Sequence, residues 1–413
     1  MSAGAPPRSA AARGLRLGRA AVQAGAAHAL GRMGLGESGA AWPTQLLLKA
    51  LLELRGAALK VAQFLCLEHD LLPPQAMAEL ARASHRVPPM GPEFARCQMQ
   101  SALGPLERQL ASFDPVPFAA ASLGQVHAAT LVGGGALAVK IQYPGIAHTV
   151  RSDLALLRRV AGLLPQALLH AHVLDEIQAR LLEECDYLQE AAAQAWFGQR
   201  LQVDGVAIAA LQPALSNRHL ITSERLAGLH LDDWLGGGPP QATRDRAAQA
   251  LFDVFVQSLR CLGRLHGDPQ PGNVLFRPDG RVALLDFGCT RWLPPEVQRM
   301  VVMLLRAAVE GDDEGAHAVY REMGLLSAPA AAEASLRPFL EWVAVPLRAS
   351  QFDFGADPGF VAEGRRRFVQ LWQDELLAGL RPEFVLLNRT LYGLYRLFER
   401  LGARVRCQAA WLA

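Results

Sequence analysis

Residues 266–288 read HGDPQPGNVLFRPDGRVALLDFG, and the spacing inside this stretch decides how the rest of the chain is read. Four residues separate Asp268 from Asn273, and Asp286 opens a D-F-G triplet thirteen residues after Asn273. Between them, Val274-Leu275-Phe276 is a short apolar run. Pro278-Asp279-Gly280 is turn chemistry, and residues 282–285 form a second apolar run. This pattern predicts a hairpin that brings Asn273 and Asp286 together. A carboxylate and an amide oxygen that converge suit Mg²⁺, a hard cation that takes oxygen ligands and usually shares them with phosphate. A lone D-F-G or H-x-D is common by chance. The joint spacing across a hairpin is far rarer, and it points to a nucleotide site.

The composition sets bounds on this reading. The 413 residues are 51% hydrophobic with a net charge of +2, which describes a globular chain of two or three domains with a large core. So even a balance gives no reason to expect nucleic acid as a partner. Six cysteines are scattered with no C-x-x-C pair, which suggests reduced thiols and no zinc site. A bilayer span needs roughly 20 apolar residues. The best candidate, residues 154–169, is broken by Arg158, Arg159 and Pro165.

Residues 1–36 hold arginines at positions 8, 13, 16, 19 and 32 and no acid before Glu37. Three readings stand: a disordered basic tail, a membrane-surface helix, or an organelle transit peptide. Residues 44–72 place apolar side chains at helical spacing, with Lys60 and Gln63 one turn apart on one face. Residues 75–112 are expected to be one or two further helices. Next, residues 116–129 contain the small-residue run Ala119, Ala120, Ala121 and Ser122, then Gly124 and Gln125. Such a run lets backbone turn closely over a ligand. Strands are expected over 126–131 and 137–141 around Gly133-Gly134-Gly135, and Lys140 points away from its apolar neighbours in A-V-K-I. Long helices follow over 152–197 and include the acidic stretch EECDYLQEAAAQ. Two strands are expected over 206–211 and 219–224, then a helix over 243–265. The remainder after Gly288 is expected to be helical, with a last helix over 380–405 that contains Asn388, Arg389 and Tyr392.

Several of these pieces match protein-kinase signatures. The spacing of Asp268 and Asn273 is that of the kinase catalytic loop, Asp286 stands in D-F-G, and A-V-K-I matches V-A-I-K. A kinase also needs a helical glutamate to fix its strand lysine, and Glu190 is the candidate. The T-S-E-R-L run at 222–226 fits a hinge between two lobes, with adenine bonded to its backbone. No A-P-E triplet follows, so a peptide-substrate platform is not evident.

Taken in order, the chain shows a lysine helix, PFAAASLGQVH, A-V-K-I, E-C-D-Y-x-x-E-A, D-P-Q-P-G-N and D-F-G. It resembles the UbiB family of atypical kinase-like proteins, which includes the bacterial AarF type and the mitochondrial coenzyme Q kinases. The likeness covers roughly residues 45–405. It implies an α+β, protein-kinase-like fold of two lobes with an added N-terminal helical extension. The expected division is a basic tail at 1–40, the extension at 41–112, an N-lobe at 113–225 and a helical C-lobe at 226–413.

By the same resemblance, Lys60 and Gln63 belong to a K-x-G-Q motif, with Ala62 where the family has glycine, and Glu184 and Asp186 belong to an E-x-D motif. These four join Ala119–Ser122 and Lys140 in the nucleotide-binding set. Lys140 and Glu190 form the ion pair, Asp268 is the catalytic-loop acid, and Asn273 and Asp286 hold metal. Gln270 replaces a usual histidine. The cofactors implied are ATP and Mg²⁺. The implied partners are membrane lipid or isoprenoid quinone precursors and enzymes of quinone biosynthesis. The expected place of work is the bacterial cytoplasm, peripheral at the inner membrane, with the mitochondrial matrix as the alternative.

The expected activity is that of an atypical kinase or ATPase. The rival is a nucleotide-binding pseudokinase scaffold. An aminoglycoside-phosphotransferase-like enzyme shares the loop logic but does not predict Lys60 or E-C-D-Y.

Overall fold

The computed structural model describes residues 91–104, 108–121, 123–161, 171–323, 329–373 and 382–408. Lys60, Gln63 and Ser122, the tail and the helix expected over 44–72 lie outside them. The chain falls into two compact units. The first holds the described residues up to Gln189 together with Gln212–Ser223, and the second holds Glu190–Leu211 and everything from Glu224 onward.

The first unit opens with helix α1 (Pro92–Leu103), which stops at Gly104 with φ +74°. The chain then enters strand β1 (Leu110–Ala121), so the helix expected to reach Ser112 ends nine residues earlier, at Leu103. Strands β2 (Gly124–Leu131) and β3 (Ala136–Gln142) follow, joined through three consecutive glycines that all take positive φ. Helices α2 (Ile146–Ala161) and α3 (Ala171–Glu184) come next, then α4 (Tyr187–Arg200), whose residues from Glu190 onward belong to the second unit. The two expected strands are present as β4 (Val206–Ile208), in the second unit, and β5 (Leu220–Glu224), which the first unit holds as far as Ser223. The sheet runs β1-β2-β3-β5. Its core face buries Leu110, Ala129, Leu137, Val139 and Ile141 with Met99 and Leu220.

Strand β1 pairs with β2 through three register shifts. Pro115 and Pro117 lie within it, and proline has no N–H to give to a ladder. Ala119, Ala120 and Ala121 pair with Val126, Gln125 and Gly124. The close-turning loop expected there is therefore a strand end, and alanine suits it, because a β conformation asks for no positive φ. Gly124 has no alternative residue. A Cβ there would sit 2.1 Å from the Ile141 carbonyl oxygen.

Under the same sheet His127 is fully buried and donates from Nδ1 to the Asp114 carbonyl at 3.0 Å. Burial lowers its pKa below the usual 6.5 and outweighs the pull of Asp114. The unfolded chain thus binds a proton that the folded one does not, so stability rises with pH through the interval below 6.5 and levels off above it. In urea melts between pH 5 and 8, a His127→Gln variant should lose part of this slope. A slope identical to the parent's would show that His127 does not set it.

The second unit is mostly helical. Helices α5 (Leu231–Gly236) and α6 (Gln241–Gln257) lead to a π-helical turn over Ser258–Leu262. The helix expected over 243–265 therefore ends early. Gly263 turns left-handed at φ +60°, where a Cβ would meet Gln298 Nε2 at 2.7 Å, and the chain leaves as strand β6 (Arg264–His266). Strands β7 (Val274–Phe276) and β8 (Val282–Leu284) form the expected antiparallel hairpin, with Gly280 at φ +83° in its turn, and β4 adds in parallel to β8.

Strand β9 (Thr290–Trp292) pairs with β6. Beyond it lie α7 (Pro295–Glu310), α8 (Asp313–Glu322), α9 (Pro329–Arg348), β10 (Phe352–Asp353), α10 (Phe360–Gln373), α11 (Pro382–Leu401) and β11 (Arg404–Val405). Among the described residues, the part after Gly288 is thus helical apart from three very short strands, which carry too few residues to show a period of two. The last helix lies within the span expected for it. Its Tyr395 and Phe398 pack with Phe252, Trp342 and Phe354 in one large core.

Candidate nucleotide site

Each unit carries its own share of the predicted residues. In the first, Lys140 lies opposite Val126 in the β2–β3 ladder, so the two share a face. The Lys140 Nζ sits 5.1 Å from the centre of the Tyr187 ring. Glu184 is the last residue of α3. Asp186 caps α4, accepting from the Leu188 N–H at 3.2 Å, and pairs with Arg218 at 3.1 Å. It therefore has a local structural task beside any role in binding.

In the second unit the segments that carry Asp268 and Asp286 are tied together by one side-chain and several backbone hydrogen bonds. His266 donates from Nε2 to the Asp286 carbonyl at 2.7 Å, and the Gly267 N–H donates to the Cys289 carbonyl at 2.8 Å. The β6–β9 pairing continues this stitch outward. Asn273 closes a short 3₁₀ turn over Pro271–Asn273, and its carbonyl accepts from the Leu285 N–H at 3.0 Å. The hairpin thereby fixes Asn273 beside the strand that delivers Asp286. Asp286 Oδ1 accepts from the Gly288 N–H at 2.9 Å.

Asp268 is 5% exposed. Asn273 donates from Nδ2 to its Oδ2 at 2.9 Å, so the amide oxygen of Asn273 remains as an acceptor. Arg389 Nη2 lies 3.6 Å from Asp268 Oδ1, with both side chains nearly buried. The sequence motifs assign no role to Arg389. The signal was there: a charged residue on a helix whose neighbours Leu387 and Leu391 face the core. The same face of α11 seals the loop. A Cβ on Gly267 would meet Leu386 at 2.8 Å, and one on Gly393 would meet Pro269 at 2.9 Å.

Glu190 is also buried, and its carboxylate lies near Gly288. A Cβ on Gly288 would come within 3.9 Å of its Oε2. From Glu190 on, α4 is held to this region by stacking. Phe197 packs on Phe287 and edge-on to His266. One turn away from Arg200, the Trp196 ring carries Arg200 at 5.1 Å and Arg264 at 5.2 Å, and Arg264 also lies over Trp292 at 5.1 Å. Burial lowers the pKa of Arg264.

The donor set can be tested against the implied cation. A carboxylate from Asp286 and an amide oxygen from Asn273 are both hard donors, and two protein ligands with phosphate completing the shell is the usual Mg²⁺ arrangement. Among the described residues no group of three or more His, Cys, Asp or Glu side chains is placed to hold a metal without such help. The residues fit the cation.

The pattern of the ABC1 atypical kinase-like domain matches residues 82–320. The chain belongs to this family. A mitochondrial member, atypical kinase COQ8B of Rattus norvegicus, is 32% identical over 381 residues, which cover 88% of this chain and 70% of that protein. Atypical kinase COQ8 of Saccharomyces cerevisiae, also mitochondrial, is 28% identical over 370 residues, covering 86% and 72%. Among solved structures, the Rv3197–erythromycin complex from Mycobacterium tuberculosis superposes with a TM-score of 0.62 at 24% identity, covering 84% of this chain and 89% of that one. The fold of this ABC1 member is thus the protein-kinase-like α+β fold implied by its motifs.

Proposed function

We propose that this ABC1 atypical kinase-like protein binds MgATP and hydrolyses it or transfers its terminal phosphoryl group. The observation that carries the reading is the cluster of Asp268, Asn273, Arg389, Asp286 and Glu190 around two loops stitched together by backbone. Lys140, fixed by Glu190, grips the α- and β-phosphates, and Ala119–Ser122 line the phosphate side. Adenine bonds to the backbone at 222–226. Asn273 and Asp286 hold Mg²⁺, which neutralises charge that develops on the phosphoryl oxygens. Asp268 orients the acceptor hydroxyl or water and takes its proton, with Asn273 and Arg389 holding the carboxylate in place. Lys60, Gln63, Glu184 and Asp186 complete the nucleotide side.

The atypical kinase names of the relatives, with the UbiB resemblance, support a role in ubiquinone or related isoprenoid-lipid biosynthesis. The acceptor is then a membrane-bound quinone precursor or water, and the partners are enzymes of that pathway. The mitochondrial names of the two curated relatives favour the matrix over the bacterial cytoplasm. No described helix is long and apolar enough to cross a membrane, which is compatible with peripheral attachment.

Phosphate release from MgATP by the purified protein tests this, with and without liposomes carrying a ubiquinone-precursor mimic, beside an Asp286→Asn control. The expected result is release that rises with liposomes and is lost in the control. Nucleotide binding without turnover under every condition would make the protein a scaffold.

A further inference from the structure

The tyrosine of E-C-D-Y has no part in the mechanism above, yet it is among the most deeply placed side chains of the first unit. Tyr187 is 1% exposed. Its N–H donates to the Arg218 carbonyl at 3.0 Å, Asp186 before it is paired with Arg218, and Gln142 donates from Nε2 to the Cys185 carbonyl at 2.9 Å. The segment is thus pinned to β3 and to the turn before β5. From this base the ring reaches the face that carries Lys140, whose Nζ stands 5.1 Å from the ring centre. The phenol oxygen ends where residue 124 has no side chain: a Cβ there would lie 3.0 Å from it.

We propose that Tyr187 is a positioning residue for Lys140 beside Glu190: its buried ring face seats the ammonium group, and the lack of a side chain at Gly124 leaves room for its hydroxyl. The proposal rests on the reading of Lys140 as a phosphate-binding group. A lysine carries a flexible four-carbon stem, and holding it in one place before nucleotide arrives removes an ordering cost from binding. An aromatic face does this without neutralising the charge, since the attraction is to the ring quadrupole, and the effect grows when water is excluded.

The test keeps ring volume nearly constant and drains the ring face. Position 187 of the full chain is filled in turn by Phe, 4-fluoro-Phe, 3,5-difluoro-Phe and 3,4,5-trifluoro-Phe, and a fluorescent ATP analogue with Mg²⁺ is titrated against each. Affinity should fall stepwise from the Phe baseline, reaching roughly tenfold at the trifluoro ring, with melting temperature level across the series. In a Lys140→Met background the same series should be flat. A flat series with Lys140 present, or equal slopes in both backgrounds, overturns the proposal and leaves the role of Lys140 standing. Unaltered binding in Lys140→Met itself overturns that role, and this proposal falls with it. Should the Phe variant fail to fold, the series is run with fluorotyrosines, which keep the hydroxyl, and the same outcomes decide.

Discussion

Asp286→Asn should reduce phosphate release from MgATP about a thousandfold, equivalent to about 4 kcal/mol of lost transition-state stabilisation, while the protein stays folded. The two effects separate because the side chain has two tasks. One oxygen accepts the Gly288 N–H at 2.9 Å, and an asparagine oxygen can accept the same bond. The carbonyl of residue 286 still receives the His266 proton, so the stitch between the two loops survives. What disappears is the negative charge that a hard divalent cation requires. The check is threefold: phosphate release, thermal melting, and nucleotide titration with and without Mg²⁺. The variant should melt with the parent and lose the Mg²⁺-dependent part of its affinity. Release within tenfold of the parent would mean that Asp286 does not bind the metal.

Arg389→Ala should both destabilise the second unit and slow turnover. Asp268 is nearly buried, and Arg389 Nη2, 3.6 Å away, is the cation beside it. Removing one member of a buried pair strands the other, at a cost of about 3 kcal/mol. With its neighbour gone, Asp268 is held by Asn273 and less well aimed at the acceptor, which should lower phosphate release about a hundredfold. Arg389→Lys should recover much of the stability but less of the rate, because an ammonium group lacks the planar fork of donors. Melting and turnover measured on both variants check this. A turnover loss in Arg389→Ala no larger than expected from the unfolded fraction would reduce Arg389 to a structural residue.

Much of the site was legible in the primary structure because its parts are local. The hairpin of β7 and β8 is written in two apolar runs and one turn, so the convergence of Asn273 and Asp286 follows from spacing alone. The strand lysine and the triple-glycine turn before it have the same character. The end of the α-helix at Gln257 was not legible: the chain goes on as a π-helical turn to Leu262 and leaves at Gly263, where any Cβ would meet Gln298 from α7, a residue far away in sequence. Small residues such as the alanine run suit loops as well as strand ends. Cross-strand pairing to Val126, Gln125 and Gly124 decides between them.

The sequence by itself therefore determined the family and its kinase-like fold, and it nominated the lysine, glutamate, asparagine and two aspartates of the candidate site. These depend on residue type at fixed short spacing, which the chain states directly. Only the tertiary structure decided that Arg389 from the last helix stands beside Asp268 and that Tyr187 lies under Lys140. It alone decided that Trp196, Arg264 and Trp292 bind α4 to strands β6 and β9. Each of these joins residues on separate elements, and burial together with ring or charge complementarity selects such pairs only once the core has closed.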